Sequence, residues 1–243
     1  MSKVADAPTL SIIIPAYNEA GVIKKCLDSL MPQLDNINEI IVVDNNSSDG
    51  TGLIAASYPD VTVIREARQG ISYARSTGFD HAQGTIVARI DADSIASPDW
   101  ATVLHNIFAD TSVDAACGNM AISEFSPPKR LWIRWFFRGF RLWHQRSLGL
   151  GPVMYGTNCA MRRNVWRAIR GDLTQGSDSN SEDVDVTCSV IKRGFNIHFS
   201  PQLLVKGPVM RSLDLTKARR YYRGDNATLT KYQMGNQKRW NND

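Results

Sequence analysis

Along the first 120 residues the hydrophobic positions follow two periods in turn. Short runs rich in Ile and Val, at Leu10–Pro15, Glu39–Asp44, Val61–Arg65 and Gly84–Asp93, predict strands. Between them the apolar residues fall at helical spacing, which predicts helices over Ala20–Leu30, from Thr51 towards Tyr58, and over Gly70–Ala82. Strands that alternate with helices in this way pair in parallel through right-handed crossovers. The expected fold class is therefore α/β, a doubly wound and mostly parallel central sheet with helices on both faces. Further on, the pattern predicts a helix from Ser97-Pro98 to about Asp110, a strand over Val113–Ile122, a turn and strand within Gly151–Arg163, a helix from Ser181 to about Lys192, strand structure in 196–205, and a helical C-terminal extension within Asp214–Lys231.

The run Gly84–Asp93 has the most chemical content. Ile86, Ala88 and Ile90 face one way and Thr85, Val87 and Arg89 the other, so a strand here is buried on both sides and sits mid-sheet. It ends in Asp91-Ala92-Asp93, two carboxylates on one side of an extended chain, which are hard oxygen ligands of the kind Mg2+ or Mn2+ prefers. A solvated turn leading into the next helix explains the same three residues. Two other strand ends reach the same sheet edge: Asp44 closes the second strand, and Pro15-Ala-Tyr-Asn-Glu19 follows the first. Together they suggest a pocket in which carboxylates accept from a base or ribose and Tyr17 lines a base, although turn chemistry also accounts for Asn18 and Asp44. The dense turn Asn45–Thr51 is read as a helix N-cap.

Composition narrows the class. With 43% hydrophobic and 21% charged residues the 243-residue chain is of ordinary globular make-up, with enough apolar side chains for a substantial core. Cys26, Cys117, Cys159 and Cys188 are widely spaced, which suggests neither a zinc site nor a disulfide framework and fits a reducing cytoplasm. The apolar run Leu10–Ile14 is too short for a signal peptide, and no run approaches the roughly 18 residues of a membrane span. The net charge of +4 conceals a division: residues 1–128 carry 7 Lys+Arg and 16 Asp+Glu, net −9, whereas 129–243 carry 21 and 8, net +13. The second half is expected to meet something anionic.

Pro15-Ala-Tyr-Asn-Glu19, Val43-Asp-Asn-Asn-Ser-Ser-Asp-Gly-Thr51, Gly70-x4-Arg75-x2-Gly78 and Asp91-x-Asp93, in this order and spacing, resemble the family 2 glycosyltransferases of GT-A fold, over roughly residues 8–200. The resemblance implies that Pro15, Ala16, Tyr17, Glu19 and Asp44 hold the base and ribose. By the same resemblance Gly70 and Arg75 lie near the nucleotide phosphates, Asp91 and Ala92 contact the nucleoside, and Asp93, with Asp91, takes Mg2+ or Mn2+. It further implies a catalytic domain over 1–205, divided into a nucleotide-sugar half, 8–120, and an acceptor half, 121–205, with 206–243 as a basic helical extension.

In the second half, Gly156, Asn158, Ala160, Arg162 and Arg163 match the family's small-residue segment that lines the donor sugar and acceptor, with Gly156 and Asn158 as the substrate contacts. Helix capping and surface charge are the alternative for these residues. Glu182 and Asp183 open a helix whose N-cap is read as Ser181, and acidic residues there are stabilised by the helix dipole alone. By resemblance they are the catalytic pair, Asp183 removing the acceptor proton. His198 is read as a packed histidine or a metal ligand; the family's usual histidine falls where this chain has Lys206-Gly207. In Lys129–Arg146, Arg130, Arg134, Arg138 and Arg141 fall within about 80° of a helical wheel beside three Trp and three Phe, with no acidic residue. That is the signature of contact with an anionic membrane, and equally of a helix packed on the sheet or in a dimer.

The expected activity is therefore inverting transfer of a sugar from a nucleotide-diphospho-sugar, a UDP-sugar first, to a saccharide or lipid-linked acceptor hydroxyl in cell-envelope polysaccharide, glycolipid or lipid-linked saccharide synthesis. The expected setting is the cytoplasm at the inner face of the membrane, without nucleic acid as partner. Sugar-phosphate nucleotidyltransfer is the second reading, but it calls for a Gly-rich basic loop where Pro15–Glu19 stands. A non-catalytic nucleic-acid or membrane-binding module leaves the acidic strand ends unexplained. Oligomeric state and sugar identity do not follow from the sequence.

Overall fold

The computed structural model describes residues 8–122, 145–176, 181–208 and 215–234, together with Gly139. Apart from Gly139, Gln145 and Arg146, the aromatic and basic segment 129–146 lies outside them. Among the described residues eight strands form one sheet: β1 (Leu10–Ala16), β2 (Glu39–Asp44), β3 (Val61–Arg65), β4 (Ile86–Ile90), β5 (Ile95–Ala96), β6 (Ala115–Ile122), β7 (Asn158–Arg162) and β8 (Ile197–Gly207). Their order is β3-β2-β1-β4-β7-β6-β8-β5. The neighbours β3/β2, β2/β1, β1/β4 and β6/β8 are parallel, while β4/β7, β7/β6 and β8/β5 are antiparallel.

The helices are α1 (Ile23–Leu30), α2 (Thr51–Ala56), α3 (Ile71–His81), α4 (Trp100–Ala109), α5 (Arg163–Ile169), α6 (Glu182–Lys192) and α7 (Leu215–Tyr232). Alternate residues of the central strands face two cores. Ile12, Ile14, Ile40, Val42, Ile86, Ala88 and Ile90 join α1 and α4 through Leu27, Leu30, Trp100 and Leu104. On the other face Ile13, Ile41, Val43 and Val87 join α3, α5 and α6 through Phe79, Trp166, Ile169 and Val190. Phe79 and Trp166 meet edge to face at 4.9 Å, worth about 1 kcal/mol beyond the area they bury. A smaller cluster of Leu148, Val153, Val184, Cys188, Leu229 and Tyr232 seats α7 on α6.

In the first 120 residues each expected strand is present, and the two-residue β5 is added between β4 and α4, where a turn was expected. Three details differ. The residue before α2 is Gly50, at φ 86°, with no side-chain cap. Ser181 caps α6 by position only: its side chain makes no cap bond, and its backbone N–H donates to Thr228 Oγ1 of α7 at 3.0 Å. Strand β8 continues to Gly207, past the boundary expected at 205, because Lys206 and Val205 pair with β5. The parallel registers bring the carboxyl ends of β1, β2, β4, β6 and β8 and the start of β7 to one edge of the sheet.

Candidate active site

One side of this edge is two turns locked together. After β1, Tyr17 is half exposed, and Asn18 at φ 52° accepts from Ser48 N–H at 2.9 Å through Oδ1. Glu19 N–H donates to Thr51 Oγ1 at 2.8 Å, and Ala20 N–H to Asp49 Oδ2 at 3.0 Å. Asp49 therefore serves the turn, as its setting in Asp-Gly-Thr suggested. Pro15 and Ala16 are buried in β1 opposite Val43 and Asp44. Asp44 is half-buried; its Oδ1 accepts from Ser47 N–H at 3.0 Å, and a Cβ at Gly52 would come within 2.7 Å of its Oδ2. Gly70, at φ 142°, precedes α3 and donates its N–H to Asn45 Oδ1 at 2.8 Å.

At the end of β4, Asp91 and Asp93 are half-buried and Ala92 is buried between them. Asp91 Oδ1 accepts from Arg89 Nη2 at 3.1 Å, and the Asp91 carbonyl accepts from the Cys26 thiol at 3.6 Å. The start of α6 faces this end. Glu182 Oε1 accepts from Arg75 Nη1 at 2.6 Å and from Arg89 Nη1 at 2.7 Å, while Oε2 accepts from Arg89 Nη1 at 2.8 Å. Asp183 Oδ1 accepts from Gly156 N–H at 2.9 Å. The two adjacent carboxyls are pushed apart. Despite burial, the flanking guanidiniums of Arg89 and Arg75 hold Glu182 down to about 2. Desolvation, then the Glu182 charge, drives Asp183 well above the usual carboxylate range.

Several expected residues take other positions. Arg75 is 2% exposed, its guanidinium against Glu182 and over the Trp166 ring at 5.7 Å, because a buried cation needs a carboxylate partner; it faces the start of α6. Asn158 is buried, and its amide is fully engaged: Oδ1 accepts from Trp100 Nε1 at 2.9 Å, and Nδ2 donates to the Asn119 and Leu203 carbonyls. It ties β7 to β6, β8 and α4, so it braces the site rather than lining it. Arg162 donates to the carbonyls of Phe108, Asp110 and Val113, at the opposite end of the sheet. His198 also lies there, exposed, level with Ala116 at the beginning of β6. Glu182, placed in the catalytic pair, has both oxygens engaged by arginine, which leaves Asp183 as the carboxyl with proton capacity.

Arg89 is the residue sequence reasoning passed over. Its signal was a charge in the middle of an otherwise apolar strand. Lys231 is another: its Nζ reaches the buried Asp185 at 2.8 Å from α7.

Among the described residues no group of three or more His, Cys, Asp or Glu could hold a metal ion. The pair Asp91 and Asp93 nevertheless fits Mg2+ or Mn2+, since such ions are commonly bound by one or two carboxylates with substrate phosphates and waters completing the shell.

The mixed, mostly parallel sheet, with Asp44 ending β2 and Asp91 and Asp93 following β4 at one edge, is that of the GT-A class. The model of the family described as "Glycosyl transferase family 2" matches residues 11–170, and the chain belongs to that family. Among curated relatives it is 38% identical over 128 residues to glycosyltransferase AglE of Haloferax volcanii, covering 50% of this chain and 41% of that one. It is 28% identical over 222 residues to the probable glycosyltransferase YdaM of Bacillus subtilis, covering 82% and 50%. The chain thus spans half or less of the length of these relatives. Among solved structures, the mannosyltransferase PcManGT of Pyrobaculum calidifontis, in complex with GDP-Man and Mn2+, superposes with a TM-score of 0.65 at 26% identity over 84% of this chain and 58% of that one. Glucosyl-3-phosphoglycerate synthase of Mycobacterium tuberculosis, solved with Mn2+, UDP and glucosyl-3-phosphoglycerate, shares the fold with a TM-score of 0.69 at 20% identity over 93% and 81%.

Proposed function

We propose that this chain is an inverting, metal-assisted glycosyltransferase that moves a sugar from a nucleotide-diphospho-sugar to an acceptor hydroxyl. The observation that carries this reading is Asp183, a carboxyl of raised proton affinity held by Gly156 N–H beside the acidic end of β4. Asp183 takes the proton of the acceptor hydroxyl as the oxygen attacks the anomeric carbon. The bond from that carbon to the diphosphate oxygen breaks, its electron pair leaving with the nucleoside diphosphate, and a single in-line displacement inverts the carbon. Tyr17 and Asp44 hold the base and ribose, and Asp91 orients the nucleoside. Mg2+ or Mn2+ on Asp93 and Asp91 would supply positive charge against the leaving diphosphate. The GDP-Man and Mn2+ of the Pyrobaculum mannosyltransferase support this donor class and a divalent metal.

The acceptor is a saccharide or lipid-linked sugar of the cell envelope, and the cytoplasmic membrane face is the proposed place of work. No helix among the described residues is long and apolar enough to cross a membrane. A thermal-shift screen of UDP, GDP and dTDP sugars with and without Mn2+ identifies the donor through mass-action stabilisation. Turnover must then release a nucleoside diphosphate; release of pyrophosphate would assign the chain to nucleotidyltransfer instead.

A further inference from the structure

We propose that Arg89 is a positioning residue that couples the donor side of the site to the acceptor side, holding Asp91 with one end of its guanidinium and Glu182, beside Asp183, with the other. The inference rests on the glycosyltransferase reading and adds a residue to it.

Arg89 lies in the centre of the sheet, opposite Ile13 of β1 and Cys159 of β7, at 5% exposure. A guanidinium in such a place is costly to desolvate, so it persists only with well-made partners. It has them in two directions: Nη2 to Asp91 at 3.1 Å and Nη1 to both oxygens of Glu182 at 2.7 and 2.8 Å. These partners belong to different parts of the chain, 2 and 93 residues away. The pocket is shaped for the group. A Cβ built on Gly156 would fall inside the Arg89 guanidinium, while the N–H of the same Gly156 orients Asp183. One glycine thus admits the arginine and points the adjacent carboxyl. Arg75, the second guanidinium on Glu182, pairs among the described residues with the Glu182 carboxylate and with no carboxylate at the end of β4. A lysine could supply the charge at 89 but lacks the planar fork that spans both partners.

The test is a mutant cycle of the whole chain: wild type, Arg89→Lys, Glu182→Gln and the double variant, with Gly156→Ala as a second way to displace the guanidinium. Circular dichroism gives the folded fraction, calorimetry the affinity for UDP or GDP, and nucleoside diphosphate release from the matching nucleotide sugar gives kcat. Arg89→Lys and Glu182→Gln should each lower kcat at least ~10-fold per folded molecule, and the double variant no further than the worse single one, as residues acting as a unit do. Nucleotide affinity of Arg89→Lys should stay within about 3-fold, because the fork aligns two sides rather than binding the ligand. If Arg89→Lys does not fold, Gly156→Ala with Glu182→Gln provides the same cycle. Multiplying losses, or a lowered melting temperature with kcat intact, overturns the coupling while leaving the glycosyltransferase reading in place. A wild-type chain that neither binds a nucleoside diphosphate nor turns over any nucleotide sugar overturns both.

Discussion

Glu182 and Asp183 are neighbours in the chain whose carboxyls are driven in opposite directions, Glu182 down to about 2 by two guanidiniums and Asp183 well up by burial beside the Glu182 charge. Glu182 then contributes stability above the unfolded glutamate value near about 4.3, and that contribution is lost as pH falls towards 2. Asp183 behaves in the reverse sense: its contribution is present below the unfolded aspartate value and is lost as pH rises through its raised folded value.

Two isosteric substitutions should therefore have opposite effects on stability at pH 8. Asp183→Asn mimics the protonated carboxyl, still accepts from Gly156 N–H, and should raise the melting temperature relative to wild type, with the gain vanishing near pH 4. Glu182→Gln leaves the buried Arg75 without its carboxylate and Arg89 with Asp91 alone, and should cost about 3–5 kcal/mol. Thermal melts at the two pH values check both signs.

The same Asp183→Asn variant should lose at least ~10²-fold in kcat while binding donor nucleotide as before, the usual low end for removal of a general base. In the wild type, log kcat should rise with pH through a value above the ordinary carboxylate range, because Asp183 must lose its proton to act. A flat profile between pH 5 and 8 would assign proton removal to another group.

Asp93→Ala should abolish metal-stimulated turnover with little change in melting temperature, since Asp93 lies at a strand end outside both cores. Full activity of this variant with Mn2+ present would remove the metal from Asp93.

At Gly52 a Cβ would press on Asp44 Oδ2 from 2.7 Å. Gly52→Ala should displace that carboxylate and raise the donor KM several-fold at nearly constant kcat, the pattern of lost uniform binding. Steady-state kinetics with saturating acceptor measure the split, and an unchanged donor KM would separate Asp44 from the nucleotide.

Lys231 binds Asp185, which is 1% exposed, and also the Asp172 carbonyl at 2.6 Å, so α7 clamps the helix that carries the acidic pair. Because the Lys231 side chain is a third exposed, Lys231→Met should cost about 2 kcal/mol, less than a fully buried pair. A urea midpoint that falls at unchanged m value would confirm this; an unmoved midpoint would refute it.

The sequence by itself determined most of the fold and the place of three carboxylates at one sheet edge. Runs of Ile and Val bounded by turn residues specify strands whatever surrounds them, so β1 to β4, the helices between them and the carboxylates Asp44, Asp91 and Asp93 were legible from local pattern. Local pattern also placed acidic residues in the first turn of α6. It did not decide what those residues do, because their chemistry depends on partners about a hundred positions away. Arg75 and Arg89, read as a phosphate contact and a strand residue, become the two cations on Glu182 only when α3 and β4 pack beneath α6. Asn158, which matched a substrate-lining motif, turns inward because Asn119 of β6 and Leu203 of β8 offer its amide two carbonyls and Trp100 an N–H. The ionisation of Asp183 was decided last and by tertiary structure alone: a carboxyl's proton affinity is set by the solvent it loses and the charges it meets, and neither is written in its neighbours along the chain.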